Sequence, residues 1–244
     1  MIKMKSFRCT ISSIENYNKD TRKVLLDLKN EENFKFFAGQ YIQILTPQKK
    51  FPFSIANAPN YSSHIELHVR PTPGSEDSEI IESIINSSRD LQIEGPLGDC
   101  YIQEKPDKPL ILIAASTGIT QMKSIIEFLE PQGFTKSTYL YWGVVSVEDL
   151  YLEKLCKAWD KLNSNFHYIP VVSEPSTSKK WEGRTGLVGK AVLKDFDDLS
   201  DIEVYVSGSA GMVYATLDAF LEKGMPKPNM HSDIFSLVPR EKKR

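Results

Sequence analysis

The chain has 244 residues, of which 41% are hydrophobic and 25% are charged, as is usual for a globular protein. At about 150 residues per domain, this length predicts one large domain or two modest ones. The 30 Lys and Arg residues nearly balance the 32 Asp and Glu residues, and the net charge is −2. Without a basic surplus, neither nucleic acid nor a membrane surface is expected as a partner.

Targeting and membrane-spanning segments are not visible in the sequence. The longest apolar run, at 110–115, is far shorter than the ~18 residues that a membrane helix needs. The first six residues include lysines but lack the apolar core and cleavage site of a signal peptide. A cytoplasmic location is therefore expected.

The cysteines and histidines do not form a recognisable metal-binding pattern. Cys9, Cys100 and Cys156 lie far apart, without a C-x-x-C pair or an iron–sulfur spacing, so we expect buried free thiols. His64 and His68 are four residues apart in a strand-like segment, where that separation is too long for a shared ion. No metal site is predicted.

The first part of the chain has a hydrophobic period of two. Residues 64–70 alternate apolar and polar side chains, and 24–28 and 41–45 are rich in β-forming residues, with turn signals between these segments. One segment, 78–86, has isoleucines at helical spacing and acidic residues at its start. Five or six short strands and one helix predict a small antiparallel β-barrel.

After residue 107 the pattern changes to alternating strands and helices. Strands are expected at 109–115, 138–144, 167–172, 203–207 and 233–237, and helices over 122–129, 147–162, 188–194 and 212–223. This alternation predicts parallel strands with right-handed crossovers in a doubly wound α/β sheet. We therefore divide the chain into a β-barrel domain, 1–104, and an α/β domain, 105–244.

Two turns of the α/β half are candidate phosphate sites, because ligands of doubly wound sheets bind beyond the carboxyl ends of the strands. The turn at 116–118 leads from a strand into a helix, whose free N–H groups and positive dipole end attract anions. The turn containing Gly208 and Ser209 is similar, although Ser209 is equally suited to capping the following helix. In the barrel half, periodicity alone makes Ser54 an ordinary strand residue.

Eight short motifs, taken in order, resemble the ferredoxin–NADP reductase superfamily, and in particular its bacterial NAD(P)H:flavin oxidoreductase branch. They are Gly39-Gln40-Tyr41, Pro52-Phe53-Ser54-Ile55-Ala56, Glu94-Gly95-Pro96-Leu97-Gly98, Thr117-Gly118, Tyr141-Trp142-Gly143, Asp149-Leu150-Tyr151, Gly183-Arg184-Thr185-Gly186 and Ser207-Gly208. The resemblance extends from about residue 5 to about residue 237. The family has a barrel followed by a doubly wound sheet, which is the order expected here.

The resemblance implies hydride transfer from NADH or NADPH to a flavin (FMN, FAD or riboflavin) that lies between the domains. It implies Ser54 as the catalytic residue, with its hydroxyl near flavin N5. The cofactor-binding residues that it implies are Pro52, Phe53, Ser54, Ile55 and Ala56 for the flavin ring, Ser116, Thr117, Gly118, Gly208 and Ser209 for the nicotinamide nucleotide, and Asp233 and Phe235 near the flavin face. A flavin-dependent oxygenase or another electron acceptor is an expected partner.

The flavin motif departs from the family at the position that contacts phosphate. Phe51 stands where the family has an arginine, and the neighbouring Lys49 and Lys50 offer point charges rather than a bidentate fork. Losing such a charged hydrogen bond costs about 1.5–3 kcal/mol. The segment 74–78, which could form a second phosphate loop, contains two acids. These departures favour a flavin that exchanges as a substrate over a resident group.

The nucleotide half departs from the family as well. Ala115 and Ser116 replace a pair of glycines, and Val145 replaces an arginine that would contact a 2′-phosphate. Lys179 and Lys180 could substitute for that arginine, although a solvated loop is the simpler interpretation. The pattern slightly favours NADH over NADPH.

Two functional hypotheses follow. The chain is either a flavin reductase that uses NAD(P)H, or a non-catalytic, electron-transfer or regulatory relative whose phosphate-binding motifs have degraded. A third hypothesis, the reductase of a multi-component oxygenase, requires the iron–sulfur cluster to lie on another polypeptide.

Overall fold

Six strands near the N-terminus form an antiparallel sheet in this computed structural model, which describes residues 5–28, 34–59, 64–87, 89–175 and 181–240. The strands are β1 (Ser6–Asn16), β2 (Arg22–Asp27), β3 (Tyr41–Leu45), β4 (Lys50–Ser54), β5 (His64–Val69) and β6 (Asp90–Leu97). They pair in the order β4-β3-β6-β1-β2-β5. The two edges meet where the Ala56 N–H donates to the Glu66 carbonyl at 2.8 Å. The predicted antiparallel barrel is confirmed.

The interior of the barrel is filled by alternate residues of these strands, as the period of two predicts. Leu26, Ile42 and Ile93 are fully buried there. Helix α1 (Glu76–Ser87) packs on this core through Ile81 and Ile85, and it includes the predicted helix at 78–86.

The second sheet is parallel and consists of β7 (Leu110–Ala115), β8 (Thr138–Val144), β9 (Phe166–Val172), β10 (Arg184–Thr185), β11 (Glu203–Ser207) and β12 (Met230–His231). Its order is β10-β9-β8-β7-β11-β12, so the direction of winding reverses between β7 and β11. The helices are α2 (Ile119–Leu129), α3 (Glu153–Leu162), α4 (Val188–Val192), α5 (Ala210–Leu221) and α6 (Ile234–Leu237). The predicted doubly wound sheet is confirmed.

Two predicted elements were assigned wrongly. The strand expected at 233–237 is instead the short β12 followed by α6, because the Asp233 carbonyl accepts a hydrogen bond from the Leu237 N–H at 3.0 Å and closes a helical turn. The helix expected over 147–162 is interrupted. A 3₁₀ turn ends at Asp149, the ψ of Leu150 is 56°, and α3 begins only at Glu153.

The chain passes from the first sheet to the second between β6 and β7, and the division between residues 104 and 105 stays a prediction. None of the helices in the described ranges is long and apolar enough to span a membrane.

Truncating the barrel core is expected to destabilise the fold. Ile93→Ala should lower the free energy of unfolding by about 2–5 kcal/mol, because it removes a fully buried side chain and leaves a cavity. Ile14→Ala, on a residue that is 40% exposed, is the control and should cost less than ~1 kcal/mol. Urea denaturation of both variants measures the difference, and similar losses would contradict the burial pattern.

Candidate active site

A cleft between the barrel and the carboxyl edge of the parallel sheet contains most of the residues expected to bind cofactors. Its two adjoining parts have volumes of about 350 and 190 Å³. Three distant stretches of sequence meet here: the end of β4, the turn after β7 and the segment around β11 and β12. The expected residues that line the cleft are Pro52, Phe53, Ser54, Thr117, Gly118, Gly208, Ser209 and Asp233.

The turns after β7 and β11 touch each other, and glycine is what allows the contact. A Cβ atom on Gly118 would lie 2.4 Å from the Ser207 carbonyl oxygen, and one on Gly208 would lie 3.0 Å from the Ala115 Cβ. The Ser209 hydroxyl accepts a hydrogen bond from the Met212 N–H at 3.4 Å, so Ser209 caps α5 while it lines the cleft. The backbone of both turns therefore borders the cleft directly.

Two hydroxyl groups in the cleft are free to meet a ligand. Ser54 is the last residue of β4, and Thr117 belongs to the turn after β7; both are half-buried and line the same part of the cleft. Neither hydroxyl has a hydrogen-bond partner among the described residues. The site can therefore offer one hydroxyl from each domain to molecules held between them.

Other residues expected at the site do not line the cleft. Ile55 and Ala56 are fully buried, and their N–H groups already donate to backbone carbonyls of the barrel at 3.0 and 2.8 Å. The ring of Phe235 packs against Tyr214 with centroids 5.7 Å apart. These three positions are therefore not part of the cleft surface.

Ser116 adopts a positive φ of 51° at the position where the family has glycine. Its hydroxyl accepts a hydrogen bond from Arg70 Nη1 at 3.1 Å, and its carbonyl accepts one from Trp142 Nε1 at 2.9 Å. Contacts on both sides therefore hold the left-handed conformation of this residue. Ser116 lines a separate cavity, described below, and is not among the residues that line the cleft.

Arg70 is a cation in the cleft that the sequence reasoning missed. It follows β5 of the barrel and donates to Asp149 Oδ1 at 2.6 Å, across to the α/β half. The other oxygen of Asp149 accepts from the Ser146 N–H and hydroxyl, both at 3.0 Å, which orients the carboxylate. A single arginine at the end of an alternating strand has no motif around it, so neither its type nor its spacing marks it as a site residue.

A buried polar cluster beneath the cleft centres on His68 and Glu66, and the sequence reasoning considered His68 only as a metal ligand. His68 Nε2 lies 2.7 Å from Glu66 Oε1, and His68 Nδ1 lies 2.9 Å from the Tyr151 hydroxyl. Lys123 Nζ lies 3.2 Å from Glu66. Burial would raise the pKa of Glu66, but the His68 hydrogen bond and the Lys123 charge lower it to about 2. Burial lowers the pKa of His68.

The Asp233 carboxylate fixes the C-terminal segment to the barrel. Oδ1 accepts from the N–H groups of Asp99 and Cys100 at 2.9 and 3.1 Å, and Oδ2 accepts from Gln121 Nε2 at 2.9 Å. Burial raises the pKa of Asp233 despite these donors. Asp233 lines the cleft and its hydrogen bonds tether the C-terminal segment, while its place near a flavin face stays a prediction.

The residues beside the expected flavin phosphate already pack or pair with other parts of the barrel domain. Phe51 is buried in the barrel core, and Lys49 and Lys50 pair with Asp77 at 2.5 Å and Glu94 at 2.7 Å. The first turn of α1 contains three acidic residues, so its positive end is already neutralised.

A second cavity of about 580 Å³, which the sequence reasoning missed, lies at the carboxyl edge of the parallel sheet between α4 and α5. Its lining is mostly aliphatic and includes Val145 and Leu187, which are 57% and 63% exposed. Lys190 is the only positively charged side chain among its described lining residues. Lys179 and Lys180 lie outside the described residues.

The cysteines are buried, unpaired thiols, as expected. Burial raises the pKa of Cys9 to about 12, so this thiol is inert at neutral pH. Within the described ranges, no group of three His, Cys, Asp or Glu side chains is arranged to hold a metal ion.

Comparisons with known proteins identify the family. A profile described as "Oxidoreductase FAD-binding domain" matches residues 8–101, and one described as "Oxidoreductase NAD-binding domain" matches residues 112–218. The NAD(P)H-flavin reductase of Vibrio harveyi is 32% identical over 241 residues, covering 96% of this chain and 100% of that protein. The chain therefore belongs to the ferredoxin reductase-like family of flavin- and NAD-binding oxidoreductases, which confirms the resemblance.

Two further relatives are reductases of other systems. The CDP-6-deoxy-L-threo-D-glycero-4-hexulose-3-dehydrase reductase of Yersinia pestis is 34% identical over 234 residues, covering 96% of this chain and 70% of that protein. The crystal structure of the Amycolatopsis cytochrome P450 reductase GcoB has a TM-score of 0.84 at 26% identity, covering 94% of this chain and 69% of that one.

The low pKa of Glu66 predicts how the free energy of unfolding depends on pH. Because the folded pKa, about 2, is below the unfolded value, Glu66 stabilises the fold above the unfolded pKa and loses this effect as the pH falls toward 2. When the pH is lowered from about 7 to about 3, the free energy of unfolding of Glu66→Gln should therefore fall by ~2 kcal/mol less than that of the parent protein.

The control is Glu15→Gln, whose side chain is 60% exposed and which should follow the parent. Urea denaturation at the two pH values measures the change. The same loss in the parent and in Glu66→Gln would show that Glu66 has an ordinary pKa.

Proposed function

We propose that the chain is an NAD(P)H:flavin reductase that binds FMN, FAD or riboflavin in the cleft and reduces it with a nicotinamide nucleotide. The observation that carries this proposal is that the Ser54 and Thr117 hydroxyls, one from each domain and neither with a partner among the described residues, line the same cleft. This arrangement suits two flat rings held face to face. The names of the relatives support the same activity.

The bound nucleotide and flavin supply the hydride donor and acceptor, so the protein needs no strong acid or base. Pro52 and Phe53 provide a wall for the flavin ring, and Ser54 presents a hydroxyl at its edge. Thr117 and the backbone of the turn orient the nicotinamide. The Arg70 guanidinium, which also lines the cleft, already bonds Asp149 and the Ser116 hydroxyl, so it ties the turn after β7 to the barrel.

We propose that the flavin exchanges as a substrate. The buried Phe51 ring cannot donate to a phosphate, and the neighbouring lysines already pair with carboxylates. The ring would therefore supply most of the affinity, and the phosphate tail would add little. Released reduced flavin would then serve a flavin-dependent oxygenase or another electron acceptor.

We propose NADH as the preferred donor. The cavity between α4 and α5 is large enough for an adenosine and lies beside the Ser116 turn. Val145 lines it where an arginine would grip a 2′-phosphate, and Lys190 alone cannot form a bidentate contact.

Purified protein is expected to be nearly colourless and to oxidise NADH only when flavin is added. The assay crosses NADH and NADPH with FMN, FAD and riboflavin at saturating concentrations. Absence of flavin-dependent oxidation with either nucleotide would exclude the reductase. A yellow preparation with stoichiometric flavin would show that the flavin is a resident group and not an exchanging substrate. A preference for NADPH would show that NADH is not the preferred donor.

Ser54→Ala should lower kcat by more than about tenfold with little change in stability, because it removes a hydroxyl that supports no other described residue. Ser83→Ala, on the exposed face of α1, is the matched control and should behave as the parent. Steady-state kinetics and thermal unfolding of both variants separate catalysis from folding. Equal turnover in Ser54→Ala would make Ser54 an ordinary strand residue.

A further inference from the structure

Ser116 has a backbone conformation that its residue type rarely adopts. Among the described residues it is the one non-glycine residue with a positive φ, which is 51°. Its Cβ atom makes this left-handed conformation unfavourable, so the surrounding structure has to hold it. A backbone held in this way at the edge of a ligand cleft indicates a functional constraint on the turn at 116–118.

Contacts from two separate elements hold the conformation of Ser116. Its hydroxyl accepts a hydrogen bond from Arg70 Nη1 of the barrel at 3.1 Å. Its carbonyl accepts one from Nε1 of Trp142, a fully buried residue of β8, at 2.9 Å. Since a trans peptide points its C=O and N–H in opposite directions, the bond to Trp142 also fixes the direction of the Thr117 N–H. The side chain and the following peptide are therefore both held.

The guanidinium of Arg70 is itself fixed in place. Its Nη2 donates to Asp149 Oδ1 at 2.6 Å, and Asp149 Oδ2 is oriented by the N–H and hydroxyl of Ser146, both at 3.0 Å. The side chain of Asp149 is 10% exposed, so water competes little for this carboxylate. From its place after β5 of the barrel, Arg70 thus holds two points of the α/β half, at 116 and at 149.

The turn at 116–118 lies between the two spaces that would receive a nucleotide. Ala115 lines both the cleft and the cavity between α4 and α5. Ser116 lines the cavity, whereas Thr117 and Gly118 line the cleft. A dinucleotide with its nicotinamide in the cleft and its adenosine in the cavity therefore has to pass this turn.

We propose that Arg70 and Ser116 are a pair of positioning residues: the guanidinium holds the serine in its left-handed conformation and so sets the turn over which a dinucleotide passes from the cavity to the cleft. A glycine adopts such a conformation without support, whereas a serine at this position depends on the arginine. The proposal rests on the proposed function in one respect, that the nucleotide occupies both spaces.

Ser116→Ala and Ser116→Gly both remove the hydroxyl, but only alanine keeps the Cβ atom that disfavours a positive φ. Ser116→Ala should therefore raise the Kd for NADH by about tenfold, and Ser116→Gly by about threefold or less, with an unchanged KM for flavin. The fluorescence of NADH, titrated without flavin, measures both Kd values. Equal losses in the two variants would show that the hydroxyl contacts the nucleotide itself, and would overturn the positioning role.

Arg70→Met removes the guanidinium and keeps an apolar side chain of similar length. It should raise the Kd for NADH by about tenfold in the parent and by clearly less when combined with Ser116→Gly, because the glycine no longer depends on the arginine. The same increase in both backgrounds would show that Arg70 acts separately from Ser116.

The conformation of the turn can also be followed without any ligand, because the Trp142 indole N–H bonds the Ser116 carbonyl. In Ser116→Ala and Arg70→Met, this N–H should exchange with solvent deuterium at least about tenfold faster than in the parent, and in Ser116→Gly more slowly than in Ser116→Ala. NMR measures the exchange, and Trp142→Phe assigns the signal among the three tryptophans of the chain.

The matched control is Arg22→Met. Arg22 bonds Glu82 and Asn86 within the barrel domain, so its loss removes a comparable set of contacts without reaching the turn. The Kd for NADH and the exchange of the Trp142 indole should both match the parent. A similar change in Arg22→Met would show that the effects of Arg70→Met come from a general loss of stability.

The role of Arg70 and Ser116 and the reductase activity can fail independently. A Trp142 indole that exchanges in Ser116→Ala as in the parent would overturn the positioning role and leave the reductase proposal in place. If NADH binds as expected but no flavin is reduced, the reductase proposal fails and the positioning role remains. A parent that binds NADH neither alone nor with flavin would overturn both.

Discussion

The burial of Lys123 between two carboxylates is the constraint on which the active-site geometry depends. Its side chain is 5% exposed and projects from α2, a helix of the α/β half. It nevertheless contacts Glu66 and the Ala56 carbonyl of the barrel. Glu127, one turn later on α2, pairs with the ammonium at 2.6 Å. A buried ammonium without its partners costs several kcal/mol, so the barrel and α2 have to meet in one register.

This register fixes the turn at 116–118, because α2 begins directly after it. Lys123 lies five residues beyond Gly118, and Gln121 between them donates to the Gly39 and Cys100 carbonyls and to Asp233. The first turn of α2 is thus tied to the barrel and to the C-terminal segment. The distance between Ser54 and the turn is set by these bonds before any ligand binds, which is the preorganisation that ring-to-ring transfer requires.

The sequence predicted the strands and helices well where the apolar pattern fits one type of element. It failed where the pattern fits a strand and a helix equally well. The strands at 138–144 and 203–207 have the predicted bounds, because continuous apolar runs between turn signals have few alternatives. The segment 233–237 has apolar residues at positions 234, 235 and 237, a spacing that suits one turn of helix as well as a short strand. Its outcome depended on the hydrogen bonds of Asp233, which involve residues more than a hundred positions away.

The site was predictable only as far as its residues form local motifs. Ser54, Thr117 and Gly208 stand in recognisable turns, and the fold brings these turns together. His68 and Arg70 acquire their roles from partners that are 83 and 79 residues away in the chain. Contacts at such separation leave no trace in a single sequence, because neither residue type nor spacing marks them.

In the proposed reductase, firmly positioned rings and weak phosphate contacts would support each other, because both substrates would have to exchange. A transfer between rings requires the ring sites to be rigid, since a small misplacement of the reacting atoms is costly. Strong phosphate contacts would add affinity equally to substrates and products, which slows release without favouring the transfer. In that proposal, the buried Phe51 and the paired Lys49 and Lys50 would withhold that affinity at the flavin end, while the bonds of α2 would maintain the geometry between the rings. Weakened phosphate contacts are therefore consistent with a working reductase, provided that the interior remains as tightly fixed as the Lys123 cluster makes it.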